Sequence, residues 1–129
     1  MTRDETIKLL AILKAAYPTA FRAMSRETAE AMLALWSDEL APYPSDVVTK
    51  AARRFIRRSK FMPCVSELLR QVWETAVDMR TFMLSSIAIG RYVPREELKR
   101  ICDVAERLRH DGANARVLAD ASAVKRIEA

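Results

Sequence analysis

The sequence predicts an all-α protein, a small helical bundle of about four helices plus a C-terminal helical extension. Three observations lead there. Of 129 residues only two are glycine, Gly90 and Gly112, and five are proline, too few turn formers for a β-rich fold. Apolar residues recur at three- and four-residue spacing throughout. Hydrophobic residues make up 50% of the chain, enough for a core at this length.

The first helix opens at Thr2 and Glu5, which are spaced as a capping box. Its expected core stripe is Ile7, Leu10, Ala11 and Leu13, widened by Leu9 and Ile12. Tyr17 precedes Pro18, which disfavours continuing the helix. Phe21 and Met24 fall in a connector and are expected to plug the core from above. Ser25 is placed to cap the second helix, with Glu27 and Glu30 near its positive dipole end. Ala29, Met32, Leu33, Trp36 and Leu40 form its apolar face. Pro42 and Pro44 bracket Tyr43 in a stiff turn, after which Ser45 or Asp46 is expected to cap the third helix.

The third helix ends near Ser59, and Lys60-Phe61-Met62-Pro63 reads as a short extended connector. A long fourth helix starts at Cys64 or Val65, with Val65, Leu68, Leu69, Val72, Ala76, Met79 and Met83 on its stripe. Trp73, Phe82 and Ile87 add apolar surface beyond that stripe, so two sides of this helix are expected to be covered. Gly90 suits the position just past its end. Pro94 suits the first helical position, N1, of a fifth helix, whose stripe is Leu98, Ile101, Cys102, Ala105 and Leu108. His110-Asp111-Gly112 breaks that helix, and the remainder is weakly amphipathic through Val117, Ala121, Val124 and Ile127. The organisation expected is a compact domain over 1–72 and a continuation over 73–129, with a soft boundary between 72 and 95.

The chemical feature that stands out is residues 48–60. They hold six positive charges (Lys50, Arg53, Arg54, Arg57, Arg58 and Lys60) and no negative one, so with a net charge of +5 the rest of the chain sums to −1. At about 100° per residue, Lys50, Arg53, Arg54 and Arg57 share one helical face, opposite Val48, Ala51, Ala52, Phe55 and Ile56. Such a cationic stripe suits an anionic partner, nucleic acid or an acidic protein surface. The bland alternative is a solvated face whose last cations complement the helix dipole. Base reading in a groove usually adds Asn or Gln to arginine, and this helix has neither. Aromatics for stacking on single strands are also not expected outside the buried face, where Phe55 lies.

Other chemistries are excluded or weak. Gly90 and Gly112 stand 22 residues apart, so no glycine-rich loop can cradle a nucleotide, and neither a P-loop nor a dinucleotide fingerprint is present. Cys64 and Cys102 with the single His110 do not make a zinc site. No secretory pattern or long apolar run appears, and the chain reads as a cytosolic protein with free thiols and no cofactor. His110 beside Asp111 has no recognisable nucleophile or second acid to work with, and its reading is a charge at a helix end. Trp36 and Trp73 read as core, whereas Tyr43 could be a core staple or an interface anchor. The segment 95–129 carries eight Lys/Arg against seven Asp/Glu. It reads either as a partner-binding or oligomerisation arm, with Leu98, Ile101, Val117, Val124 and Ile127 as contacts, or as completion of the bundle.

Several of these residues together resemble a known family. Ala15-Ala16-Tyr17-Pro18, Leu35-Trp36, Tyr43-Pro44, Val47-Val48, Ala51 with Phe55-Ile56, and Lys60-Phe61-Met62-Pro63 leading into Val65 and Leu68 are similar to the N-terminal domain of phage replicative-helicase loaders. The likeness covers a little over half the chain. It departs at Met62, where relatives often have a second proline, and at Cys64, where they often have Thr or Ser. The resemblance implies a compact helical N-terminal domain and a protein that is not itself an ATPase. It implies binding to a hexameric replicative helicase, restraint of that helicase, and its delivery to the phage origin with an origin-binding protein. It also implies that the C-terminal region is the main helicase contact, here loosely 95–129.

The reading is therefore a non-catalytic adaptor that loads or restrains a replicative helicase in the host cytoplasm. A small non-specific nucleic-acid-binding phage protein using the basic helix is the alternative. A host-directed inhibitor acting by occlusion would share the interface without the loading role.

Overall fold

The computed structural model describes residues 1–109, in which every regular element is helical. The elements are α1 (Arg3–Ala16), α2 (Pro18–Arg22), α3 (Arg26–Leu40), α4 (Ser45–Arg58) and α5 (Val65–Ala88), followed by α6, helical from 95 to 109. The chain divides into two compact units, Met1–Thr75 and Ala76 onward, and the division falls within α5.

In the first unit, local chemistry sets the helix ends. The Thr2 hydroxyl accepts from the Glu5 N–H at 3.2 Å, and the Glu5 carboxylate accepts from the Thr2 N–H at 2.9 Å, closing the capping box. α1 stops at Tyr17, and Pro18 at once begins the one-turn α2, where the sequence predicts only a connector. Ser25 caps α3 by accepting from the Thr28 N–H at 3.1 Å. The cap of α4 differs from expectation. Pro44 occupies the N-cap position without a side-chain bond, and Ser45 and Asp46 lie inside the first turn.

The core of this unit is built from Leu9, Leu13 and Tyr17 of the α1 end, Trp36 and Leu40 of α3, Val47, Val48, Ala51 and Ala52 of α4, and Leu68 and Val72 of α5. Each fully buried Val or Leu side chain contributes about 1.5–3 kcal/mol before the entropy of ordering it. Tyr43 is buried, so between its two prolines it staples the turn to the core. The Met1 ammonium donates to the carbonyls of Ala41 at 3.0 Å and Tyr43 at 2.7 Å in the same turn.

Three expectations are corrected here. The α1 face turned inward is Thr6, Leu9 and Leu13, whereas Ile7 and Ala11 are exposed and Leu10 only half-buried. Phe21 and Met24 are half-buried and line a surface groove instead of plugging the core. On α5 the fully buried positions are Leu68, Val72, Thr75 and Ala76, and Phe82 and Ile87 are exposed, so its second apolar side is not covered among the described residues.

In the second unit, α5 ends in a complete Schellman motif. Gly90 has φ of +85°, its N–H donates to the Ile87 carbonyl at 3.0 Å, and the Arg91 N–H donates to the Ser86 carbonyl at 2.9 Å. Pro94 stands one residue before α6, at its N-cap and not at N1 as expected, with the Leu98 N–H donating to its carbonyl at 3.1 Å. Ile101, Val104, Ala105 and Leu108 are the buried stripe of α6, and Arg80 of α5 pairs with Glu106 of α6 at 3.7 Å.

Candidate functional site

The cationic helix α4 works in two halves. Its inner half is Val47, Val48, Ala51 and Ala52, all without exposure. Burial of these four fixes which face of the helix the remaining side chains share. Lys50, Arg53, Arg57, Arg58 and Lys60 are exposed. Phe55 and Ile56 are half-buried at the edge.

Arg54 departs from the expected stripe. It is half-buried, and its Nη1 donates to the Thr75 Oγ1 on α5 at 3.3 Å. The Thr75 hydroxyl is itself buried and donates to the Gln71 carbonyl at 2.7 Å. Arg58 reaches Glu74 of α5 at 3.9 Å, and the same carboxylate lies 3.8 Å from Arg70. Arg54 is thus engaged with α5 and withdrawn from the stripe, whereas Arg58 stays exposed and is paired with Glu74. Lys50, Arg53, Arg57 and Lys60 form no ion pair among the described residues; the first three make up the open cationic face of α4, and Lys60 lies just past its end.

An exposed aromatic side chain follows the helix in the connector. Phe61 follows Lys60 and is 80% exposed. Its backbone is held at both polar groups. The Ser59 hydroxyl donates to the Phe61 carbonyl at 3.1 Å and accepts from the Phe61 N–H at 3.3 Å. The Ser59 carbonyl in turn accepts from the Tyr17 hydroxyl at 2.8 Å. The expectation that aromatics would be confined to the buried side is therefore corrected. The connector has no periodicity from which the sequence could reveal the exposure of Phe61; its one signal is a large apolar residue between Lys60 and Met62-Pro63.

A shallow apolar groove of about 270 Å³ is a further feature that the sequence does not reveal. Ile7, Leu10 and Ala11 of α1, Phe21 of α2, and Met32 and Leu33 of α3 line it. Its signal is the same α1 stripe that periodicity assigns to the core.

The C-terminal candidates fare differently. Ile101 is fully buried and Leu98 half-buried, so Ile101 holds its own unit together and offers no surface to a partner. Val117, Val124, Ile127 and His110 lie outside the described residues.

Electrostatic shifts are few and local. Glu5 is held below the usual carboxylate range by the Thr2 backbone N–H first, then by the Ser45 and Thr2 hydroxyls. Glu67 is lowered by the Cys64 N–H, which it accepts at 3.1 Å. Burial raises the Tyr17 phenol. Cys64 is exposed and Cys102 half-buried, both free, and Cys64 Sγ lies 3.1 Å from the Ser66 hydroxyl. Among the described residues no His/Cys/Asp/Glu group could hold a metal ion, and no helix is long and apolar enough to cross a membrane. The arrangement offers charge and apolar contact to a partner.

Comparison with known proteins gives one positive result. The family model for the N-terminal domain of the phage helicase loader/inhibitor gp39P matches residues 1–69. No curated protein and no solved structure matches the chain significantly.

Proposed function

Because the chain belongs to the family of that N-terminal domain, the phage helicase loaders and inhibitors, we propose that it is a non-catalytic replication accessory protein that binds a hexameric replicative helicase. It restrains that helicase and helps load it at the phage origin, together with an origin-binding replication protein, in the cytoplasm of the bacterial host. The observation that carries this reading is the family match over 1–69, the segment that contains α1 to α4 and the start of α5.

The mechanism is selective binding. A protein that favours one helicase conformation shifts the helicase toward it by its difference in affinity for the two states. Binding should therefore depend on the helicase's nucleotide state. The open cations Lys50, Arg53, Arg57 and Lys60 supply an auxiliary electrostatic contact that speeds encounter with an acidic surface.

The test is a titration of the hexameric helicase with the full chain, with and without a non-hydrolysable ATP analogue. A complex that strengthens with nucleotide is expected, and no complex in either state rejects the reading. Charge reversal at Arg53 and Arg57 should weaken the complex by about tenfold, chiefly in the association rate, while thermal stability stays within about 0.5 kcal/mol. An unchanged affinity would remove α4 from the interface.

A second reading, non-specific nucleic-acid binding, is favoured by one observation, the exposed Phe61 directly after Lys60. Tight binding to single-stranded DNA with a steep salt dependence would support it.

A further inference from the structure

From Thr81 to Gly90 the chain carries no charged residue. This run closes α5 within the second unit, and most of it is exposed. At about 100° per residue, the buried Ala76 and Ser86 and the half-buried Met79 and Met83 share one side of the helix. Val77, Thr81, Leu84 and Ala88 share the opposite side at four-three-four spacing. Phe82 and Ile89 border that stripe on one edge and Ile87 on the other. Phe82 is 68% exposed and Leu84 50%, which wastes apolar area that folding does not use. The Thr81 hydroxyl donates to the Val77 carbonyl at 3.0 Å, so it stays paired when this side is dried. Thr81, Ser85 and Ala88 are small, which lets another helix come close.

We propose that this side of α5 is an interface between two copies of the chain, packed α5 against α5 about a two-fold axis. A two-fold contact brings the same patch of both copies together, so each charge near its centre meets its like. The run 81–90 has none to meet, whereas the Lys50, Arg53 and Arg57 face of α4 would repel its own copy. The same lack of charge argues against other occupants. Nucleic acid is held by cations. Interfaces that form and part are about as polar as ordinary surface, while homodimer interfaces are more apolar. The proposal stands apart from the helicase reading and does not depend on it.

The experiment is sedimentation equilibrium of the full chain, at about 1–200 μM and at low and high salt, with melting temperatures alongside. Wild type should pass from one chain mass to twice that mass, with no weakening at high salt. Leu84→Glu places an unpaired charge inside the contact and should weaken association by about 100-fold or more. Lys8→Glu, exposed on α1, should leave association unchanged. A dimer that dissociates with salt, or one indifferent to Leu84→Glu, would place the contact elsewhere and overturn the proposal. A wild type that stays monomeric overturns it too, and the melting temperature of Leu84→Glu then says what takes its place. A lowered value would assign the face to residues 110–129 of the same chain, and an unchanged one to a different protein.

Discussion

The Tyr17 hydroxyl donates to the Ser59 carbonyl at 2.8 Å, tying the end of α1 to the end of α4 across 42 residues of sequence. Tyr17 is itself buried, so the bond closes a polar tip that has little access to water. Phenylalanine at this position keeps the ring and leaves a part-buried carbonyl short of a donor. Tyr17→Phe should cost about 1 kcal/mol, read by denaturant titration. The alkaline limb provides a second readout. Burial raises the Tyr17 pKa above its ordinary 10.0, so the unfolded chain releases this proton first. The stability it contributes is complete below about pH 10 and declines as pH rises toward the folded value. Tyr17→Phe should flatten that decline.

Glu5 governs the acid side in the opposite sense. The Thr2 N–H and the Ser45 hydroxyl hold its pKa below the ordinary carboxylate value of 4.5. Its contribution is present above about pH 4.5 and is lost as pH falls through the lowered value. Glu5→Gln keeps an acceptor at the capping box and removes the titration. The variant should show a shallower loss of stability between neutral pH and about pH 3 than wild type, measured as the shift of the urea midpoint. Equal slopes would show that Glu5 does not carry the acid dependence.

Gln71 is buried, and its Nε2 has no hydrogen-bond partner among the described residues. An unsatisfied buried amide costs about 1–3 kcal/mol. Gln71→Met, similar in length and apolar, should therefore raise stability by about 1 kcal/mol. Its backbone carbonyl, which accepts from Thr75, is untouched by the change. A destabilised Gln71→Met would mean that this amide is satisfied in solution.

Gly90 lies at φ of +85°, with open space where a side chain would project. The penalty for Gly90→Ala is therefore conformational and free of clash, about 1–2 kcal/mol. Faster exchange of the Gly90 and Arg91 amides, which close the Schellman motif, would report it. The first unit, Met1–Thr75, should keep its own protection.

Most helix ends were legible in the sequence because caps are local chemistry; the start of α4, capped by Pro44 without a side-chain bond, and the short α2 were not. Thr2 with Glu5, Ser25 and Gly90 act within a few residues of themselves. Which face of a helix turns inward was less legible, because that is decided by distant partners. The run Ile7 to Leu13 is apolar at every position but Lys8, so spacing alone could not separate the buried Leu9 and Leu13 from the exposed Ile7. Thr6, which the apolar spacing does not include, is buried with its hydroxyl donating to the Thr2 carbonyl at 3.0 Å, so it brings no unmet polar group inside. The cationic segment was legible as charge, but not the inward turn of Arg54, which depends on Thr75 standing 21 residues away. Phe61 was invisible as an exposed group, since a connector has no period to read.

The split of α4 into four fully buried residues and an open rim of cations also bears on how such a protein can change over generations. Val47, Val48, Ala51 and Ala52 hold the fold, and Arg54 is tied to Thr75. Lys50, Arg53, Arg57 and Lys60 are tied to nothing in the described chain. Substitution at those four positions passes almost unnoticed by the folding equilibrium. The partner-facing side of the helix can therefore drift at the pace of whatever it must match, while its inner side stays constrained by packing.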